Sequence, residues 1–290
     1  MHNITFKKIK EKFISNLNYK NFTNIQSIAI PNILTGRNFI GISSTGSGKT
    51  LAYLLPICQK LINDPKCKVL IVVPTFELSV QIFKVCMQFI GRKNSLKEIK
   101  FTHIQKMEQE LNNYQLVITT PNKIVKEIEN NPNYQNIFNT IVLDEADKFF
   151  ELSLMNVLDS LLEIFKSNTN QWILISATLP MEVEKSIKNV FVDQIQCIIG
   201  EKIASLNTID QKLIYCGNEE GKINELQNLI NNGELGLPCL IFLQDKQRVK
   251  QVYRYLQKIG VKSSYLSGEL SLEEREERLK LFDNESVWIM

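Results

Sequence analysis

The feature that most constrains the fold is a repeated alternation of short apolar runs with helical stretches. The runs are rich in Ile and Val with little polar alternation, and they read "NFIGIS", "KVLIVV", "QLVITT", "NTIVLD" and "QWILIS". Strands of this kind are buried on both faces, as in a parallel sheet. The stretches with helical patterns are 51–62, 77–90, 123–130, 152–165 and 182–190. The pattern therefore predicts a doubly wound α/β domain.

The same alternation restarts after a polar, less periodic stretch, "GEKIASLNTID". The strand-like runs there are "KLIYC", "CLIFL" and "KSSYL", and "SVWIM" at 286–290 is typical of a strand that has just begun. The helical patterns between them are "EGKINELQNLI", "QRVKQVYRYLQKI" and "SLEEREERLKLF". Residues 211–290 are too few for a complete domain of this type. We therefore predict a first domain at 1–200, a linker at 201–210 and a partial second domain at 211–290.

Composition excludes several classes of protein. A content of 44% hydrophobic and 22% charged residues is typical of a globular chain, and a formal net charge of +3 permits a polyanionic partner without requiring one. The six cysteines form no C-x-x-C pair and there are only two histidines, so we expect no zinc site and a reducing compartment. No apolar run approaches the ~20 residues of a membrane span, and no secretory signal is visible. We expect an intracellular, soluble protein with no membrane partner.

The segment "STGSGKT" at 44–50 has the context of a phosphate-binding loop, because it lies between a predicted strand and a predicted helix. The two glycines allow a tight turn close to an anion. The lysine would neutralise the β and γ phosphates, and the final threonine would bind Mg²⁺. The general pattern has Gly at the position of Ser43. The predicted nucleotide-binding residues here are Ser43, Ser44, Thr45, Gly46, Ser47, Gly48, Lys49 and Thr50.

A second source of ligands for the metal is the segment "TIVLDEAD" at 140–147. Its apolar residues would place Asp144 at the carboxyl edge of the sheet, where α/β proteins bind their ligands. Asp144 would hold Mg²⁺ through water, and Glu145 would orient or deprotonate an attacking water. Adjacent acids could instead mark a solvated helix start, and Asp147 on its own is an ordinary surface charge. With Lys49 and Thr50, the first two acids form the predicted catalytic group.

The segment "ISATLP" at 175–180 also follows a predicted strand. Hydroxyl groups at Ser176 and Thr178 could link a nucleotide site to the rest of the protein by hydrogen bonds, with Ala177 between them. An equally good interpretation is a helix N-cap followed by Pro180 near the first helical turn.

Taken together and in this order, the segments resemble the DEAD-box RNA helicases. "STGSGKT", "DEAD" and "SAT" are highly specific members of the family's motif set, and the resemblance covers nearly the whole chain. It implies an α/β fold of two RecA-like domains with parallel sheets and flanking helices, the second domain being incomplete. It also implies ATP and Mg²⁺ as cofactors, RNA as partner and ATP-powered local separation of RNA strands.

Further roles follow from the resemblance alone. "FTNIQSIAIP" resembles the family's adenine-reading motif, which assigns Gln26 to the base edge, Tyr19 to stacking and Thr23 to support. Without the family, Gln26 would be an ordinary helix residue. Phe22 stands where the family usually has Pro, so the turn into this motif can differ.

"PTFELS" and "TPNK" resemble segments that contact the RNA backbone. The residues assigned to RNA are Pro74, Thr75, Thr120, Pro121 and Lys123. Hydroxyl groups, backbone N–H groups and lysine suit phosphate contacts, which carry no sequence information. Taken alone, both segments are typical strand-to-helix turns.

Departures from the family pattern limit what the resemblance implies. Phe76 and Lys123 each replace an arginine, so bidentate pairing is lost at both positions, and a Gly-Gly pair expected within 100–110 is missing. The family's T-D-x-x-x-R-G-x-D and H-R-x-G-R-x-x-R segments do not occur in the chain. An arginine finger contributes a factor of about 10³ to 10⁵ in rate. We therefore expect this chain alone to bind ATP and hydrolyse it poorly.

Two functions from different classes remain open. One is an ATP-dependent RNA helicase when the second domain is complete; the other is a non-catalytic ATP- and RNA-binding factor or fragment. A phosphate-loop DNA translocase or kinase would leave "DEAD" and "SAT" unexplained. "QKLIYCGNEEGKINELQNLI" and "LPCLIFLQDKQR" resemble the family branch associated with small ribosomal subunit assembly. That finer resemblance implies pre-ribosomal RNA and a nuclear or nucleolar location, with the cytoplasm as the alternative. A protein activator is a further partner to be expected.

Overall fold

The structure is a computed structural model that describes residues 21–90, 101–103, 111–151, 154–166, 171–199 and 210–290. The chain divides into two compact units, Met1–Ile209 and Asp210–Met290. The predicted linker lies outside the described residues except for Asp210. Among the described residues, no helix has the length and apolar character needed to cross a membrane.

The described part of the first unit is built on a parallel sheet. Its strands are β1 (Phe39–Ser43), β2 (Val69–Val72), β3 (Phe101–His103), β4 (Leu116–Thr119), β5 (Thr140–Asp144), β6 (Gln171–Ser176) and β7 (Ile195–Ile199). Their order across the sheet is β3-β4-β2-β5-β6-β1-β7, and every neighbouring pair is parallel. All five strands predicted from the apolar runs are confirmed. The outermost strands, β3 and β7, were not predicted.

Helices cover both faces of this sheet. They are α1 (Asn24–Leu34), α2 (Lys49–Asn63), α3 (Phe76–Ile90), α4 (Pro121–Asn130), α5 (Ala146–Glu151), α6 (Met155–Phe165) and α7 (Met181–Ile187). Short 3₁₀ helices occupy Leu111–Asn113 and Pro132–Asn136. The helix predicted at 152–165 begins at Met155, and a separate short helix, α5, precedes it.

Burial on two faces explains why the central strands are mostly apolar. In β2, Val69 and Ile71 join a core cluster with residues of α1, α2 and α3, whereas Leu70 and Val72 join a second cluster with residues of α4, α6 and α7. Successive side chains of a strand point to opposite faces. A strand covered by helices on both faces therefore needs an apolar residue at every position.

The second unit departs from the prediction in its strands. Its helices, α8 (Glu219–Asn231), α9 (Lys246–Lys258) and α10 (Leu272–Asp283), match the predicted patterns. The predicted strands in "KLIYC", "CLIFL", "KSSYL" and "SVWIM" are wrong as regular strands, since the described residues there form only two isolated parallel bridges, Cys239 with Ile289 and Ser263 with Ile289.

These bridges place three extended segments side by side. The backbone N–H of Cys239 donates to Trp288 O at 2.9 Å, and the N–H of Trp288 donates to Lys262 O at 2.9 Å. The segment that contains Ile289 therefore lies between the other two. The "KLIYC" segment has none of this pairing, and its Leu213 is fully exposed. Apolar composition alone does not make a strand, because a strand needs a neighbour to accept its hydrogen bonds.

Candidate active site

The predicted site residues lie at the carboxyl edge of the sheet in the first unit. The phosphate loop follows β1, "SAT" follows β6 and "DEAD" follows β5, and these three strands are consecutive across the sheet. "PTFELS" follows β2 and "TPNK" follows β4, which are the next two strands. All strands are parallel, so these loops leave the same edge. The strand order thus gathers the predicted nucleotide residues on one side of β5 and the predicted RNA residues on the other.

The phosphate loop requires glycine for two separate reasons. Gly46 and Gly48 have φ values of 75° and 88°, in the left-handed region that residues with a side chain rarely adopt. A Cβ atom at Gly48 would lie 2.4 Å from Gln26 Nε2, whereas one at Gly46 would meet nothing within 4 Å. Backbone conformation therefore selects Gly at both positions, and at Gly48 a Cβ would also displace the Gln26 amide from its present place.

The side chains of the loop also bind one another. Lys49 Nζ donates to Ser43 O at 2.7 Å and to Ser44 O at 3.0 Å. The hydroxyl groups of Ser43 and Ser47 are 2.8 Å apart, so the serine that departs from the general pattern ties the two ends of the loop together. Burial lowers the pKa of the Lys49 amine, while the charge of Asp144 opposes that shift. A phosphate oxygen that binds Lys49 would take over the contacts now made by backbone carbonyl groups.

Gln26 joins the loop to α1. Its Nε2 donates to Gly48 O at 3.1 Å, and its Oε1 accepts the backbone N–H of Thr23 at 3.1 Å. The side chain is buried, with 6% of its surface exposed. A carboxamide has a second N–H and a second lone pair, so contact with a base edge remains chemically available. Tyr19, the predicted stacking residue, lies outside the described residues.

Asp144 is the last residue of β5 and is 4% exposed. Its Oδ2 accepts the hydroxyl of Tyr53 at 2.8 Å, and its Oδ1 accepts the backbone N–H of Glu145 at 2.9 Å. Burial raises the pKa of Asp144 to about 6, and the two hydrogen bonds act in the opposite direction. Burial and the Asp144 charge raise the pKa of the Tyr53 hydroxyl well above its usual value. At neutral pH the pair is therefore a carboxylate and a neutral phenol.

Glu145 holds an uncommon backbone conformation, with φ of 53°. For a residue with a Cβ this left-handed region costs about 1 to 2 kcal/mol. Strain of this kind clusters at functional sites, where the surrounding structure maintains it. The following helix, α5, begins at Ala146, so the strained residue forms the turn between the strand and that helix.

A small cavity of about 50 Å³ adjoins these residues, and its lining includes Thr50, Asp144 and Glu145. The Thr50 hydroxyl and the Asp144 carboxylate are oxygen donors, which suit a hard cation such as Mg²⁺. Among the residues that the structure describes, no group of three or more His, Cys, Asp or Glu side chains could hold a metal. Mg²⁺ commonly takes one or two protein ligands and completes its shell with water and substrate phosphates. The residues present therefore fit Mg²⁺ bound together with a nucleotide.

The interpretation of Asp147 as an ordinary surface charge is wrong, because this residue is only 5% exposed. Its Oδ2 accepts both the backbone N–H and the hydroxyl of Thr178, each at 3.1 Å. Its own N–H donates to Ser176 Oγ at 3.0 Å. These bonds join the ends of β5 and β6 on either side of Ala177. The N-cap alternative for "SAT" is not observed, since α7 has Pro180 at its N-cap.

The residues assigned to RNA lie at the N-terminal ends of two helices. Pro74 and Thr75 precede α3, and Thr75 Oγ1 accepts the backbone N–H of Leu78 at 3.3 Å. Thr120 is the N-cap of α4, with Pro121 at its first position. Lys123 lies in the first turn and pairs with Glu127 at 3.3 Å. Helix N-termini favour anions. The local turn interpretation is therefore correct for both segments and compatible with phosphate contacts.

Sequence reasoning missed two residues of this site, Tyr53 and Asp147. Asp147 stood within a recognised motif, yet nothing in the sequence identified Thr178 as its partner. Tyr53 lies within α2 and is one of several residues that make up the apolar face of that helix. The one sequence signal for it is its spacing of four residues from Lys49, which places both on one helix face.

Family models match most of the chain. A model of the DEAD/DEAH box helicase family matches residues 23–186, and a model of the helicase conserved C-terminal domain matches residues 221–290. The first match covers more than half of the chain and contains the phosphate loop, "DEAD" and "SAT".

Similar relatives are RNA helicases of several yeasts. ATP-dependent RNA helicase ROK1 of Scheffersomyces stipitis is 32% identical over 98% of this chain and 53% of the relative. ROK1 of Saccharomyces cerevisiae is 30% identical over 97% of this chain and 52% of the relative. ATP-dependent RNA helicase CHR1 of Candida albicans is 33% identical over 97% of this chain and 51% of the relative. The chain thus spans about half the length of the curated relatives it matches.

Solved structures share the fold. The yeast DEAD-box splicing factor Prp28 is 29% identical, with a TM-score of 0.59 over 96% of this chain and 67% of that one. Mss116p bound to ssRNA and AMP-PNP is 22% identical, with a TM-score of 0.83 over 100% of this chain and 63% of that one. The fold is therefore α/β and RecA-like, with a partial second domain.

Proposed function

Because the chain belongs to the DEAD/DEAH box helicase family, we propose that it is the ATP- and RNA-binding part of an ATP-dependent RNA helicase that separates RNA strands locally. The observation that carries this proposal is the grouping of Lys49, Asp144, Glu145 and the Asp147–Thr178 link at three neighbouring strand ends. A phosphate loop alone is compatible with many nucleotide reactions. The link between "DEAD" and "SAT" supplies a route from the nucleotide site to an adjacent strand.

The proposed ATP site uses groups whose chemistry suits each role. Backbone N–H groups of the phosphate loop bind the phosphates at the N-terminus of α2, and Lys49 neutralises their charge. Thr50 and Asp144 would hold Mg²⁺, which would neutralise phosphate charge when bound. Glu145 orients the attacking water and accepts its proton. Gln26 would read the base edge, with Thr23 and Tyr19 beside it.

The proposed RNA site lies at the ends of β2 and β4. Pro74, Thr75, Thr120, Pro121 and Lys123 would contact the RNA backbone. Such contacts bind phosphate and fix register without reading base sequence. Two structural relatives are described as bound to RNA together with an ATP analogue. They are Mss116p with ssRNA and AMP-PNP, and Dbp5 with RNA and ADP BeF3. Those ligands support the same pair of ligands for this chain.

The finer part of the proposal is that the RNA is a ribosomal precursor and that the protein works in the nucleus or nucleolus. The support is the sequence resemblance of the second unit to the ribosome-assembly branch, together with the ROK1 relatives at 30 to 32% identity. A protein activator would belong to the same proposal.

A second candidate is a non-catalytic factor that binds ATP and RNA. The observation that favours it is Phe76 at the start of α3, where the family usually has an arginine. Lys123 also favours the non-catalytic factor. It stands where the family has another arginine, and lysine does not reproduce the bidentate geometry of arginine.

The test is RNA-stimulated ATP hydrolysis by the full gene product and by this 290-residue chain. The matched control for both is Glu145→Gln, which keeps the side-chain shape and removes the carboxylate. The helicase proposal expects stimulated turnover in the full product that Glu145→Gln abolishes. ATP and RNA binding without turnover in the full product would favour the non-catalytic factor. Absence of ATP binding would contradict both.

A further inference from the structure

Tyr53 lies in α2, four residues after Lys49, so the two side chains share one face of the helix. The Tyr53 side chain is fully buried within the core cluster that also contains Phe39 and Ile175. Its hydroxyl donates to Asp144 Oδ2 at 2.8 Å across 91 positions of sequence. This hydrogen bond directly connects the helix of the phosphate loop to the carboxylate predicted to hold the metal.

The two groups that donate hydrogen bonds to Asp144 differ in whether they can set the position of its carboxylate relative to the phosphate loop. The N–H of Glu145 belongs to the neighbouring residue and moves with the same turn, so it cannot set the carboxylate relative to the phosphate loop. Tyr53 is held by the helix that starts at Lys49, so its hydroxyl can set the position of the carboxylate relative to the phosphate loop. A phenol has few rotatable bonds and keeps its hydroxyl in a fixed place when the ring is packed. Each carboxylate oxygen retains a lone pair for a further partner.

We propose that Tyr53 is a positioning residue that holds the Asp144 carboxylate in the orientation needed to bind Mg²⁺ beside the phosphate loop. The inference rests on the proposed ATP-binding function and deepens it. Hydrogen-bond partners of metal-binding groups orient those groups, and their removal commonly weakens metal affinity by about 10- to 100-fold. If the tyrosine served only to fill the core, removal of its hydroxyl would not change the affinity for the metal.

The test is the affinity of a fluorescent ATP analogue, measured in EDTA and across a series of Mg²⁺ concentrations. In Tyr53→Phe we expect affinity in EDTA to stay within about twofold of the wild type, because phosphate contacts remain. We expect the Mg²⁺ concentration at half-maximal effect to rise about tenfold. The matched control is Tyr255→Phe in the second unit, which also loses a buried hydroxyl, one without a hydrogen-bond partner among the described residues.

Three results would overturn the inference. The first is an unchanged Mg²⁺ midpoint in Tyr53→Phe, and the second is an equal loss of affinity with and without Mg²⁺. The third is an equal shift in Tyr255→Phe. A wild-type chain whose binding of the analogue does not respond to Mg²⁺ would instead overturn the metal site of the proposed function, and the inference with it.

A double-variant comparison covers the case in which Tyr53→Phe does not fold. Asp144→Asn removes the buried charge that would lack its donor, so Tyr53→Phe with Asp144→Asn should fold. If Tyr53→Phe alone unfolds and the double variant folds, the hydroxyl serves the carboxylate, as proposed. If both unfold, the hydroxyl is needed for folding whatever the charge at Asp144, and the inference is wrong. If both fold, Tyr53→Phe should add no further loss of Mg²⁺ response to that of Asp144→Asn.

Discussion

Individual residues of the candidate active site hold conformations and contacts that most side chains could not adopt. Gly48 combines a left-handed backbone with close contact to Gln26, and Glu145 holds a left-handed backbone despite its side chain. Asp144 is a buried carboxylate with one donor on each oxygen. Each of these features raises the free energy of the unliganded chain. A site assembled before its ligand binds needs less rearrangement during the reaction.

Gly48→Ala is expected to disrupt the phosphate loop, because its Cβ would lie 2.4 Å from Gln26 Nε2. The variant should lose ATP affinity by tenfold or more and lower the free energy of unfolding by more than the about 1 to 2 kcal/mol of backbone strain alone. Isothermal titration and thermal unfolding measure both effects. Gly36→Ala is the matched control, since Gly36 also has a positive φ, 83°, but nothing lies within 4 Å of its Cβ. Equal effects of the two substitutions would contradict the role of the Gln26 contact.

The raised pKa of Asp144 predicts a pH dependence of stability. Because the folded-state pKa of about 6 lies above the ordinary carboxyl value of 3.8, the folded chain holds this proton more tightly than the unfolded chain. The stabilising effect is complete below about pH 4 and is lost as pH rises through about 6. The difference in free energy of unfolding between Asp144→Asn and the wild type should therefore increase across this range. Denaturant titrations of both chains between pH 4 and 7 measure it, and a constant difference would contradict the assignment.

At the scale of elements, the parallel sheet determines which motifs become neighbours. "DEAD" and "SAT" lie 29 to 31 positions apart along the chain and are brought together because β5 and β6 pair in parallel register. The phosphate loop joins them because β1 pairs with β6 on the opposite side. The ends of these strands form one surface on which a change at the nucleotide can reach the "SAT" turn through few bonds.

Thr178→Val is expected to break the hydroxyl bond to Asp147 while retaining the shape of the side chain. Loss of a hydrogen bond to a buried charged acceptor should lower the free energy of unfolding by about 1.5 to 3 kcal/mol. If the link couples the two sites, RNA stimulation of ATP hydrolysis should fall in the full gene product while ATP affinity stays unchanged. The control is Thr35→Val, an exposed threonine whose hydroxyl bonds to Asn32 O. Unchanged RNA stimulation in Thr178→Val would contradict a coupling role.

At the scale of the whole molecule, a formal net charge of +3 does not by itself attract RNA strongly. The proposed RNA affinity would therefore come from local groups, such as the helix N-termini at α3 and α4 and Lys123. Contacts of these groups with the RNA backbone would release counterions, whereas contacts with bases would not. The salt dependence of RNA affinity therefore tests the placement of these groups.

RNA affinity should therefore fall steeply with salt. The slope of log affinity against log salt is about −0.7 for each phosphate neutralised on a single strand. Lys123→Ala should reduce the magnitude of the slope by roughly that amount and weaken unrelated RNA sequences to the same degree. Fluorescence anisotropy with two RNA sequences across a salt series measures this, with the exposed lysine variant Lys212→Ala as control. A flat salt response would contradict binding through phosphates.

The sequence by itself determined the five central strands of the first unit, the phosphate loop and the position of "DEAD" after a buried strand. These features depend on local composition, since a strand buried on both faces is mostly apolar and the left-handed positions of a phosphate loop favour glycine. Local patterns failed for the strands of the second unit, where apolar runs such as "KLIYC" are not strands. Whether a run forms a strand depends on neighbours that its own residues do not specify.

Only the tertiary structure decided which side chains meet. Tyr53 bonds to Asp144 across 91 positions, Thr178 to Asp147 across 31, and Gln26 to Gly48 across 22. Each contact depends on the order of strands in the sheet and on how the helices pack against it. Periodicity determines which face of an element a residue occupies, but the partner on that face is set by packing between elements that are distant in sequence.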